Sequence, residues 1–208
     1  MLVAGLSGVI WLITTADGVR WLMETVSSHT DVRISAQKIE GKLAGALRLE
    51  GLDIGWPAGK IRIRTLSMQT DPRDWIAGSI TVQHLIVQDV SILDNTPDAP
   101  PNLVWPRASG LIRLASGRIE RLEVYRLSYT RPDQEPLLIE KATAGVVWKD
   151  AQLALGDVSV LTDPFALNGS VVAGFGRPAL DVNLAAVLSF APAGLNVFRL
   201  GGKFGPGK

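Results

Sequence analysis

Between Gly78 and Leu93 the chain reads GSITVQHLIVQDVSIL, and its apolar residues Ile80, Val82, Leu85, Val87, Val90 and Ile92 are separated by steps of two, three, two, three and two. An amphipathic helix would set them at steps of three and four, and an uninterrupted half-buried strand at steps of two. Alternation that resumes after each extra residue predicts extended segments in which a bulge or corner takes up the odd residue. One row of side chains then keeps returning to the same face. The cadence recurs at Leu47, Leu49, Leu52 and Ile54, at Ile61, Ile63, Leu66 and Met68, and at Ile119, Leu122, Val124, Leu127 and Tyr129. The intervening positions are mostly polar or small, Arg48, Glu50, Arg62, Arg64, Gln83, Gln88 and Asp89 among them, with Ile86 the exception. A sheet built this way has one apolar and one wet face, and the apolar face must be covered by a second sheet, a helix, a partner or lipid.

The N-terminal stretch Leu2 to Ile13, LVAGLSGVIWLI, has no charge. It is shorter than the roughly 20 residues a membrane-spanning helix needs, and no Lys or Arg precedes it. Two expectations stand: a buried or interfacial helix, or a longer signal anchor whose natural start lies upstream. No Ala-x-Ala-like cleavage site follows, which favours retention. From Ala16 the spacing of Val19, Leu22, Met23 and Val26 predicts a short amphipathic helix with Asp17 as its N-cap. Such a helix either plugs one end of the sheet or lies at a membrane interface with Trp11 and Trp21 as belt residues.

Strands are expected at Val32 to Glu40, Ala46 to Trp56, Lys60 to Thr70 and Ser79 to Leu93, with a helical turn at DPRDWIAG between the last two. Asp94 to Arg107, rich in proline, reads as a linker. Strands resume over Leu111 to Thr130, Leu137 to Val147, Gln152 to Leu161, Phe165 to Ala173 and Ala179 to Phe190. The final residues open another strand pattern and run into a Gly-rich tail that caps nothing, so the chain is expected to be a fragment or to meet another copy there. The organisation expected is an anchor at 1–15, a helix at 16–30, a first β unit at 31–93, a linker at 94–107 and further β repeats at 108–208. The fold class is mainly β.

With 208 residues, 47% of them hydrophobic, the chain can bury a sizeable core. A net charge of +1 supplies no global basic field, which argues against nucleic acid as a partner. Cysteine is absent, so disulfides and thiol chemistry are excluded, and His29 and His84 are the only histidines.

The run from Ile34 to Leu93 resembles the N-terminal region of the TamB family, inner-membrane subunits of the translocation and assembly module within the AsmA-like group. The resemblance rests on Gly41-Lys42-Leu43, Gly45, Leu47, Gly51-Leu52, Asp71, Gly78 and the cadence from Ile80 to Ile92, preceded by Thr14, Thr15, Gly18 and Trp21-Leu22. It spans about the first 95 residues and consists of spacing and glycines rather than rare chemistry; the remainder matches in style. It implies an elongated, taco-like open β-groove of the bridge-like lipid-transfer type, anchored in the inner membrane and exposed to the periplasm. It further implies phospholipid as cargo and an outer-membrane partner resembling TamA. The groove-facing residues would be Leu47, Leu49, Leu52, Ile54, Ile61, Ile63, Leu66, Met68, Ile80, Val82, Leu85, Val87, Val90 and Ile92.

Other chemistry is thinly supplied. Ser27, Ser28 and His29 are adjacent but lack a strand–turn–helix elbow, so a polar helix end is the simpler reading. His84 reads as an exposed or locally hydrogen-bonded residue, Asp71 and Asp74 as helix-capping groups. Gly201-Gly202-Lys203 with Gly205 lacks the strand-to-helix setting of a phosphate loop. No catalytic residue, metal site or cofactor is expected. The rival to the groove is a structural β-solenoid scaffold filled by its own side chains, and a hydrolase is the most distant alternative.

Overall fold

The computed structural model describes residues 13–76, 79–96, 116–163, 165–175, 179–188 and 197–204. Strands β1 (Arg33–Gly41), β2 (Ala46–Trp56), β3 (Gly59–Thr70), β4 (Ser79–Asp94) and β5 (Ser116–Thr130) are followed by β6 (Leu137–Lys149), β7 (Gln152–Thr162), β8 (Phe165–Gly174), β9 (Ala179–Leu188) and β10 (Val197–Phe204). All ten join one open sheet whose spatial order is the chain order. The fold is thus mainly β, as the alternation predicts. Helix α1 (Ala16–His29) precedes the sheet, and a short helix α2 (Pro72–Ile76) joins β3 to β4.

Eight of the nine pairings are antiparallel, and β4 with β5 is parallel. Antiparallel neighbours can be joined by tight turns. One two-residue turn at Pro57 and Ala58 closes β2 on β3, and another at Asp150 and Ala151, with φ of 51° and 57°, closes β6 on β7. A parallel pair instead needs the chain to return to the starting end before the next strand begins. Residues 97–115 between the two strands lie outside the described residues. The sheet runs from β4 to β5 without a break, Val87 lying opposite Val124.

The odd residues of the cadence are taken up at two lines that cross several strands. Gly51, Asp89 and Arg126 have φ of 60°, 55° and 52°. They fall at one register position, between the pairs Glu50↔Thr65 and Leu52↔Ile63 in β2 and β3, and between Gln88↔Tyr125 and Val90↔Leu127 in β4 and β5. Left-handed backbone is costly for a side-chain-bearing residue. Glycine avoids that cost, and at the other two positions the side chains hold each other: the Arg126 guanidinium donates to both carboxylate oxygens of Asp89. Arg64 adds an ion pair to Asp89 at 3.5 Å. The second line is a series of register shifts at Gln69/Thr70, Ile119/Leu122, Thr143/Gly145 and Leu155/Val158, with Asp157 at φ 49°.

Helix α1 is capped by Thr15 rather than by Asp17: the Thr15 hydroxyl accepts from Gly18 N at 3.0 Å. Asp17 sits in the first turn, where a negative charge suits the positive end of the helix. The helix lays Val19 onto the apolar face of the sheet in one cluster with Leu47, Leu49 and Leu52, with Met23, Ile39 and Leu66 packed around them. Leu22, expected on the same helix face, is instead exposed beside Trp21. Each leucine buried in this way contributes roughly 1.5–3 kcal/mol.

Candidate functional site

The pairing registers place all fourteen sequence-predicted face residues on one side of the sheet. Leu47, Met68 and Leu85 form one cross-strand row, Leu49, Leu66 and Val87 a second, Leu52, Ile63 and Val90 a third, and Ile54, Ile61 and Ile92 a fourth. Val82 and Ile80 extend the face toward the start of β4, opposite Ile119 and Gly117. A bulge at the expected steps returns each segment to the same side.

The second row continues across the whole sheet. From Ile39 in β1 it runs through Leu49, Leu66, Val87, Val124, Ala142, Val160, Leu167 and Ala186 to Phe198 in β10, apolar at every strand. At about 4.8 Å between neighbouring strands the row is about 43 Å long. The row beside it on the opposite face is Glu40, Arg48, Ser67, Ile86, Glu123, Thr143, Ser159, Asn168, Ala185 and Arg199, polar except for Ile86 and Ala185. The rows of β6 to β10 were not singled out from sequence. Their alternation is present, but Val147, Leu161 and Val172 are apolar on the wet face and exposed, which blurs it.

The polar side carries ion pairs along β1 to β5: Arg48 with Glu50 at 3.0 Å, Arg62 with Asp53 at 3.1 Å, and Arg121 with Glu123 at 2.9 Å. Exposed pairs such as Arg48–Glu50 and Arg62–Asp53 contribute little to stability, about 0–1 kcal/mol each, whereas in the third pair Glu123 is buried. Their effect is to keep that face in water.

Cover over the apolar face is uneven. Helix α1 packs on β1 and sets Val19 over β2, so Leu47, Leu49 and Leu52, expected to line an open surface, are buried; so are Val82 and Val90 of β4, which the helix does not cover. Beyond α1 on β1 and α2 on β4, the described elements make their main contacts with sheet neighbours alone. Among the described residues no large side chain is fully buried, as a core closed between two layers would produce.

Where β4 and β5 end, the face meets a polar rim. The Asp94 carboxylate accepts from the Thr96 hydroxyl, from Thr96 N at 2.9 Å and from the Tyr129 hydroxyl at 2.8 Å. These hydrogen bonds, with Arg131 nearby, hold its carboxyl down at about 2 and push the Tyr129 phenol up. Asp94 thereby ties the ends of the two parallel strands together.

The remaining sequence candidates have local partners. Ser27 Oγ accepts from Ile34 N at 2.9 Å, and His29 Nδ1 lies 3.0 Å from Ser28 Oγ and 2.9 Å from Thr25 O at the exposed end of α1. Asp71 accepts from Arg73 N at 2.9 Å and so caps α2. His84 is exposed opposite Gln69 and Arg121. Among the described residues no three His, Asp or Glu side chains converge as a metal set. Also among them, no helix is long and apolar enough to cross a membrane. Trp21 is exposed on α1, whereas Trp11 and the rest of the expected anchor up to Leu12 lie outside the described residues.

No protein-family model matches the chain, and a search of curated proteins finds no match either.

Proposed function

We propose that this chain is an anchored periplasmic β-groove that shields phospholipid acyl chains on their way between the inner and outer membranes and performs no chemical step. The observation that carries the reading is the apolar row from Ile39 to Phe198, over whose first two strands α1 packs, while beyond them the described strands contact mainly their sheet neighbours. A surface of that extent is stable in water only when something apolar lies on it. An acyl chain fits the requirement, because each buried methylene contributes roughly 0.8 kcal/mol and the row is continuous along its length. The two lines of left-handed and shifted residues are places where a sheet bends, and bending toward the apolar side makes an elongated, taco-like groove. Headgroups stay at the polar rim near Asp94, Tyr129 and Arg131.

The N-terminal anchor, the inner-membrane location and an outer-membrane partner resembling TamA follow from the resemblance of Ile34 to Leu93 to the TamB family, supported by the uncharged run from Leu2 to Ile13. The packing of Leu47, Leu49 and Leu52 under α1 favours the scaffold reading for that end, so lipid contact begins beyond it, at β4 and β5. Mass spectrometry of organic extracts from the purified chain tests the proposal. Phospholipid should co-purify with the natural sequence and be lost in Val87→Asp, which places a charge on the apolar face. A folded chain that carries no phospholipid would leave the self-filled scaffold standing.

A further inference from the structure

The line marked by Gly51, Asp89 and Arg126 is longer than its left-handed residues alone reveal. Between β1 and β2 the pairs Ala36↔Leu52 and Lys38↔Glu50 pass over Gln37 and Gly51. The same omission falls on Arg64 in β3, Asp89 in β4, Arg126 in β5 and Glu140 in β6, each with paired residues directly before and after it. One crease therefore crosses six strands at a single register position. A ladder resists bending through its inter-strand hydrogen bonds. Residues left out of the pairing on successive strands leave a line about which the two sides can rotate.

On this crease Asp89 and Arg126 lie side by side in the left-handed region, at φ 55° and 52°. A side-chain-bearing residue keeps that conformation only where its surroundings hold it. Here the hold is a single carboxylate. The Arg126 guanidinium donates to both Asp89 oxygens, and Arg64 approaches the same group at 3.5 Å, so β3, β4 and β5 are tied together on the line. The two arginine side chains are 79% and 65% exposed, which puts the tie within reach of dissolved ions. Other ion pairs of the polar face lie to one side of the crease: Arg48 with Glu50 on β2, Arg121 with Glu123 on β5, and Arg62 directly opposite Asp53. None of these can govern a bend across it.

We propose that Asp89 is the pin of a salt-sensitive hinge. While its carboxylate holds Arg126 and Arg64, the crease keeps one angle. When the tie is released, the part of the sheet carrying residues 46–50 and 65–69 rotates against the part carrying 52–56 and 59–63. The angle sets how far the apolar face folds in on itself, so the pin controls access to that face. This hinge goes beyond the lipid-shielding role and does not rest on it, since the crease and its pin exist whatever lies on the apolar face.

The chain has no cysteine, so pairs of spin labels can be introduced without background. Lys60→Cys and Gln69→Cys occupy exposed positions of β3 on opposite sides of the crease, about 30 Å apart along an extended strand. Glu40→Cys and Asn168→Cys, also exposed, lie in one cross-strand row that the crease does not cross, about 34 Å apart. Pulsed electron-spin measurements on the first pair should give a narrow distance distribution at low salt. Its width should grow about twofold at about 1 M salt, where screening acts within about 3 Å, and should be as large in Asp89→Ala at either salt. The second pair should not change. A first pair that ignores salt in the natural background overturns the hinge, as does an Asp89→Ala chain as narrow as the natural one. Equal broadening of the second pair also overturns it, because the whole sheet would then be loosening. The salt comparison needs no change at Asp89, so it decides the matter even where Asp89→Ala does not fold.

Discussion

Leu49 in β2 and Leu167 in β8 belong to the same cross-strand row and have the same side chain, yet their surroundings differ. Leu49 is 5% exposed beneath Val19 of α1, whereas Leu167 is only half-buried, between Val160 and Ala186, with no described element above it. One apolar cross-strand row runs through both regions; what differs is whether a helix covers it. A roofed face is a core and contributes to stability. An uncovered one of the same composition contributes less. The described molecule thus has a helix-packed end at α1, β1 and β2 and, beyond it, strands that contact mainly their sheet neighbours.

The largest effect that could sharpen or break this contrast is on stability. Leu49→Ala removes a side chain from a packed cluster and should cost about 3 kcal/mol, within the range seen for buried leucines, whereas Leu167→Ala should cost less than about 1 kcal/mol. Denaturant unfolding of both variants decides it. Equal losses would mean that the far end of the sheet is packed as tightly as the near end.

A smaller effect is expected at the junction between the two regions, where Asp94 binds the end of β4 to Tyr129 of β5. Its folded-state carboxyl lies at about 2, below the ordinary value of about 3.9, because Thr96 and Tyr129 donate to its charged form. A depressed carboxylate stabilises the fold fully above its unfolded value, and that stability is lost as pH falls through the folded one. Melting temperature should therefore drop between about pH 4 and pH 2, and Asp94→Asn should flatten that part of the profile. An unchanged slope in the variant would remove Asp94 as the tie between the strands.

How much of this was legible beforehand follows from particular residues. The face from Leu47 to Ile92 could be read directly, because polar residues such as Arg48, Arg62 and Gln88 alternate cleanly with apolar ones. The extra residue at each step signalled a bulge, and Asp89 is where one occurs. The parallel join of β4 to β5 was hidden, since strand direction leaves no trace in alternation. The role of α1 as a roof stood open against an interfacial role, because Val19 and Met23 at helical spacing suit either. Thr15 and Asp17 are both good N-caps in sequence, and only the extended backbone at Thr15 separates them. In β6 to β9, apolar residues on both faces, Val147 and Leu161 among them, masked which row faced which way.

Photocrosslinking to lipid addresses the central claim most directly. A photoreactive residue placed in turn at Val160 on the open apolar row, at Ser159 on the adjacent wet row, and at Leu49 under α1 should label phospholipid in a membrane-expressing cell strongly at 160 and only at background at 159 and 49. Equal labelling at 159 and 160, or none at 160 in a folded chain, would contradict an apolar face held open for acyl chains.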